Sequence, residues 1–359
     1  MPKDLQASTS RAKHYGSIDG LRALSCIGII LMHVQANTSY DLAGSFAWDT
    51  FIPSLTWLVY LFFMISGFGM CAGYLRRFQN REIDLECFYK RRYGKILPFF
   101  GLLLVIDILM ERTPDAIYEA SVEGMLLHGL LPNNAVSVIG VSWFLGVVFL
   151  FYLLFPAFTV LMKSKKRAWT SLALSLWLVV CMDQYFFSPY FVTNSFTPRH
   201  SFLYVLPLFI LGGIVYLYRD DIARVCEGRR IPALVLCLAA TVLWYAIPGQ
   251  SRGELFYLKS LVLFGLWLSY AIGNDSKFLA SRPVRYLSSI SMELYLAQML
   301  SFRVVERAHL LYVFGSAGTT GWLSFVVASC LTVAGLIVFI ETYKWAVRHI
   351  KARLGKAAH

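Results

Sequence analysis

The chain has 359 residues, of which 57% are hydrophobic, 16% aromatic and only 15% charged. A soluble domain carries roughly 25% charged residues; here apolar runs of membrane-spanning length recur from end to end and leave no soluble block of domain size. The net charge of +12 does not point to nucleic acid, because Lys and Arg cluster between alternate apolar runs, as the positive-inside rule produces.

The reading is therefore an all-α, polytopic membrane protein of about ten helices, one integral domain over residues 1–359. Residues 1–18 form a cytoplasmic arm and 345–359 a basic cytoplasmic tail. The predicted spans are 20–38, 55–75, 96–110, 142–162, 168–186, 202–218, 231–247 and 255–273, a ninth from about Tyr286 to Arg307, and 321–343. Arg22, His33 and the missing small-residue cleavage pattern favour a retained first span over a signal peptide.

Charge sets the expected orientation. The arm with Arg22 just beyond it, the 76–95 loop, residues 163–167, 219–230 and 277–285, and the tail with the adjoining Lys344 hold all but six of the 33 Lys and Arg. The exceptions are Arg112, Arg199, Arg252, Arg303 and Arg307 in the alternate loops and Lys259 inside a span. An even number of spans with both termini in the cytoplasm follows. Seven cysteines without CxxC or ligand-like spacing speak against disulfides and a metal site. Of the outer loops, 184–201 is aromatic and polar, which suits acceptor contact but equally an interfacial aromatic belt.

The first span carries the most telling pair. Arg22 and His33 are eleven positions apart, which at ~100° per residue returns to the same helix face within ~20°, about 16 Å along the axis. An ionisable residue inside the membrane is a functional candidate, and imidazole is the side chain tuned to neutral-pH proton transfer. A histidine that merely bonds its helix neighbours is the plain alternative. Ser66, Gly67 and Gly69 in the second span allow close helix approach, with Ser66 also a candidate at a narrow channel. Arg92 and Lys95 share a face if the third helix has begun there, and with Arg91 form a cationic cluster for a phosphorylated ligand; topology alone also explains them. Asp107, Lys259, Glu293 and Glu341 each need a partner or water, with Asp107 and Lys259 as possible mutual partners.

These residues resemble acyltransferase family 3, membrane proteins that O-acylate glycans and other extracytoplasmic acceptors. The resemblance rests on Arg22 and His33 within the first span, on Phe62, Phe63, Ser66, Gly67 and Phe68, and on the basic run Arg91, Arg92 and Lys95 before Pro98. It continues through Trp143, Tyr152 and Pro156 and a late segment with Glu293, Tyr295 and Leu296. Three positions depart from the pattern: Lys95 replaces a common Arg, Val148 a Glu, and Gln298 a His. It covers nearly the whole chain as a stand-alone acyltransferase domain, without an appended esterase-like domain.

The resemblance implies an acetyl-CoA-dependent O-acetyltransferase of the cytoplasmic (inner) membrane, without a metal, acting on an extracytoplasmic glycan or glycolipid amid membrane lipid. In that picture His33, Arg22 and Ser66 are catalytic, and Arg91, Arg92 and Lys95 bind the donor. Trp143, Tyr152, Glu293, Tyr295 and Gln298 contact substrate. Two other classes stay open: a glycan or small-solute transporter, which would favour repeated halves that the sequence lacks, and a catalytically silent assembly or receptor protein, in line with Val148 and Gln298.

Overall fold

The computed structural model describes residues 15–126, 128–130, 140–186, 197–247 and 253–357. Backbone amides have no water to bond in hydrocarbon, so long apolar segments close their hydrogen bonds within helices. In chain order these are α1 (Gly16–Ala36), α2 (Ala47–Gln79), α3 (Leu85–Glu111) and α4 (Pro114–Gly124). They continue as α5 (Trp143–Leu161), α6 (Lys165–Cys181), α7 (Phe202–Leu217), α8 (Arg219–Cys226) and α9 (Arg230–Ala246). The last four are α10 (Glu254–Gly273), α11 (Arg282–Ser289), α12 (Ser291–Arg307) and α13 (Gly318–Ala357). Among the described residues there is no β-strand, only an isolated bridge between Asp41 and Ala317.

Nine of the ten predicted spans each fall on one helix, and the ninth, from Tyr286 to Arg307, is broken at Ile290 into α11 and α12. Six helices are long and apolar enough to cross a membrane, or seven when α7 and α8, bent by 66°, count as one broken span. The helices α6, α9 and α12 have 17 residues each. The chain is a multi-pass integral membrane protein.

Two boundaries moved for physical reasons. Asp84 caps α3, its carboxylate accepting the Cys87 N–H at 2.6 Å. The basic run therefore lies inside the helix rather than before it, since hydropathy marks where lipid begins and a cap marks where the helix begins. In α2, π and 3-10 turns extend the rod on both sides of the predicted 55–75.

The bundle is centred on a backbone-to-backbone contact. A methyl group on Gly67 of α2 would lie 2.2 Å from the Phe209 carbonyl oxygen of α7, and one on Gly212 would lie 2.0 Å from that of Met64. Small residues bring membrane helices this close where no hydrophobic force operates. The base of α1 is pinned separately. Ser17 Oγ donates to the Asn274 carbonyl at 2.7 Å, and Ser288 Oγ to Asp19 at 3.1 Å.

Candidate active site

α1 is one unbroken α-helix through Arg22 and His33, so the same-face arithmetic applies to it. The two residues open onto different surroundings.

At the Arg22 end lies a cavity of about 330 Å³. α1 contributes Arg22, α2 Ser66 and Gly69, α3 Arg92 and Lys95, α5 Tyr152, and α12 Glu293 and Tyr295. Residues from Arg22 to Tyr295 thus meet around one space. Gly69 adjoins Arg22, a methyl there lying 3.9 Å from its guanidinium. Arg92 lies over the Tyr74 ring at 4.4 Å and the Tyr152 ring at 5.6 Å, held by cation–π attraction. Its buried Nε and Glu293 Oε2 have no hydrogen-bond partner. Buried polar atoms are costly when unpaired, so these two mark where a ligand or water completes the wall.

Successive helix positions differ by ~100°, and that rotation separates Arg91 from Arg92. Arg91 is exposed and lines a shallow surface recess with Asp84, Glu86 and Lys90. The predicted trio reduces to Arg92 and Lys95 at the cavity.

His33, Trp143 and Gln298 do not line this cavity. Phe62, Phe144 and Tyr295 line it on their side, with rings at centroid distances of 4.7–6.4 Å, and Phe144 in turn meets Trp143 at 6.2 Å. Beyond these rings is a second cluster. Trp143 stacks on His200 at 4.1 Å and 18°. Arg199 sits over the rings of Trp57 at 5.1 Å and Trp143 at 5.6 Å, and donates to Thr56 Oγ1 at 3.1 Å. Its charge acts on both His33 and Tyr295, which relates the two sides of the aromatic partition. His128 lies flush against α5, where a methyl on Gly146 would be 2.5 Å from its Nε2. Burial, with the neighbouring Arg199 and His128, pushes the His200 pKa down to about 3, so this imidazole stays neutral across the physiological range. Gln298 is buried with both amide atoms unpartnered, and Val148 is fully enclosed in the core.

Sequence reasoning missed Arg199 and His200 as individual residues. The available signal was Arg199 as one of only five cations in the alternate loops. Most of the aromatic loop, residues 187–196, lies outside the described residues. The suggested Asp107–Lys259 pair does not form. Lys259 donates to the carbonyls of Trp244 and Ile247 at 2.9 and 3.0 Å, while Asp107 shares a small recess with Arg303. Glu341 accepts from Tyr286 at 2.8 Å and pairs with Lys344 at 3.0 Å.

Residues 15–341 match the family model described as an acyltransferase domain, and the chain belongs to acyltransferase family 3. Among curated relatives, the peptidoglycan O-acetyltransferase OatA of Listeria monocytogenes is 27% identical over 167 residues, 41% of this chain and 24% of that protein. The O-acetyltransferase OatA of Staphylococcus aureus is 26% identical over 255 residues, 65% of this chain and 35% of that protein. The chain thus spans about a third or less of the length of these relatives. No solved structure matches it.

Proposed function

We propose that the protein, as one integral domain, is an O-acetyltransferase of the cytoplasmic membrane that moves an acetyl group from cytoplasmic acetyl-CoA to a hydroxyl of an extracytoplasmic glycan. The observation that carries this reading is the convergence of Arg22, Ser66, Arg92, Lys95, Tyr152, Glu293 and Tyr295 on one cavity, below a histidine on the Arg22 face of α1. Charge alternation puts the Arg22 end in the cytoplasm.

Arg92 and Lys95 would hold the donor phosphates through charge-assisted hydrogen bonds, with Arg22 deeper along the path. The acyl end would pass the partition of Phe62, Phe144 and Tyr295 to reach His33. There His33 takes the proton of the acceptor hydroxyl as its oxygen bonds to the carbonyl carbon. The tetrahedral oxyanion then collapses, the carbon–sulfur bond breaks, and the proton passes to the leaving thiolate. Ser66, on the Arg22 side of that partition, is the candidate oxyanion donor with the acyl carbonyl seated within the partition and its oxygen toward the cavity, a role worth about 10²–10³ in rate. Trp143, stacked on His200, offers an apolar ring face for a sugar near Arg199.

His33→Ala is expected to abolish acetyl transfer while the protein inserts normally. Full transfer by the inserted variant would overturn the general-base role. Mass spectrometry of surface glycans with and without the protein separates the classes. Loss of the acetyl increment supports transfer, whereas loss of the entire glycan indicates transport or assembly.

A further inference from the structure

The side of α1 turned away from Arg22 and His33 lines a larger recess. Leu21, Leu24, Gly28 and Leu31 lie roughly 110–170° around the helix from the Arg22–His33 line. They face Leu58 of α2, Trp244 and Tyr245 of α9, and Phe264 and Trp267 of α10 across about 510 Å³. Leu24 and Phe51 at its lips are 47% and 45% exposed, so it opens sideways to the bilayer.

The indole and phenol groups of its walls are engaged internally. Trp267 Nε1 donates to Thr241 at 3.1 Å, Trp244 Nε1 to Ser260 at 3.0 Å, and the Tyr245 hydroxyl bonds Ser54 at 2.7 Å. What remains is a hydrocarbon surface at hydrocarbon depth.

Ser54, Trp244 and Tyr245 also border a second recess of about 360 Å³ at the His33 end, with Asp49, Trp57 and Lys259. Asp49 is engaged by the Gly44 N–H at 2.7 Å. Lys259 bonds two helix-end carbonyls, and among the described residues no carboxylate pairs with it. The same recess includes Thr56 and Trp57, two of the residues that hold Arg199. An apolar slot therefore leads to an unneutralised cation and aromatic faces, and those adjoin the cluster beside His33.

We propose that these joined recesses bind a lipid-linked glycan, its hydrocarbon chain in the slot along α1, α9 and α10, its phosphate at Lys259, and its sugars directed past Trp57. This rests on the acyl-transfer reading and narrows its acceptor to a membrane-anchored saccharide. Positive charge at the head recess complements the phosphate, and the aromatic faces of Trp57 and Trp244 match a sugar's apolar face.

The test uses the full chain in nanodiscs, a polyprenyl-phosphate-linked disaccharide, and the same disaccharide with a methyl aglycone. Filling the slot with Leu24→Trp and Leu31→Trp should lower kcat/KM for the lipid-linked acceptor at least tenfold and leave acetyl-CoA hydrolysis and the methyl glycoside unchanged. Equal use of both acceptors by the wild type, or no effect of the double variant, would overturn the proposal.

A second arm needs no turnover. A diazirine-bearing polyprenyl phosphate should label α1 and α9 around the slot, and the double variant should lose that labelling. Lys259→Gln should erase the preference for the phosphate over the free polyprenol. Equal labelling by diazirine phosphatidylglycerol would mean bulk lipid and overturn the proposal. Labelling as expected with no transfer by wild type to either acceptor would remove the acetyltransferase reading and keep the lipid site.

Discussion

The cavity at the Arg22 end and the cluster at the His33 end share α1, α2 and α5, yet they are assembled differently. The first gathers charged and polar side chains from six helices around open space. The second is close-packed, with rings stacked on rings and cations laid over them. A space held open by charge fits a ligand that brings its own charge, whereas stacked aromatic faces fit a ligand with little. One helix bundle thus offers two chemistries, partitioned by Phe62, Phe144 and Tyr295.

The sharpest way to break that contrast is at the charged end. Arg92→Ala with Lys95→Ala should raise the KM for acetyl-CoA by about 10–100-fold, since a hydrogen bond to a charged group contributes about 1.5–3 kcal/mol. The acceptor KM should stay constant. An unchanged response to acetyl-CoA concentration would remove both residues from donor binding.

At the other end Trp143→Ala should raise the acceptor KM several-fold, in keeping with about 0.5–1.5 kcal/mol for an aromatic pair, and leave the donor KM alone. A shift in both would mean that the two ends are not separate sites. Arg91→Ala, one position from Arg92 but facing the surface, should change either KM by less than twofold.

The smallest effect concerns pH. His200 has its pKa held near 3 by burial, while in the unfolded chain it titrates near 6.5. Its contribution to stability is complete above that unfolded value and declines as pH falls from about 6.5 toward 3, because only the unfolded state gains the proton. Thermal melts at pH 7.5 and 5 should show a small acid penalty, and His200→Phe, which preserves a ring over Trp143, should reduce it.

The two ends also differed in how well the sequence revealed them. Arg22, Ser66, Arg92, Lys95, Tyr152, Glu293 and Tyr295 all stand out in the sequence, and all line one cavity. Charges and small polar groups are costly in hydrocarbon, so their positions stand out against apolar runs. Arg91 lies outside this cavity, a difference that a cluster of cations does not reveal until the helix register is fixed, and the Asp84 cap fixes that register. The His33 end depends on Trp57, Trp143 and His200 stacking across long sequence separations. Aromatic residues are abundant along this chain, so none of them was conspicuous. The helix positions were legible from apolar runs, but α6, α9 and α12 at 17 residues each show that hydropathy does not itself certify a crossing.

The interlocked glycines of α2 and α7 carry one further consequence. With main chain against main chain at Gly67 and Gly212, neither helix can slide past the other without steric collision. Ser66 is therefore fixed relative to α7 by the skeleton rather than by its own contacts. A catalytic cycle in this protein would then have a stationary datum, against which side-chain rings and the outer helices make whatever movements passage requires.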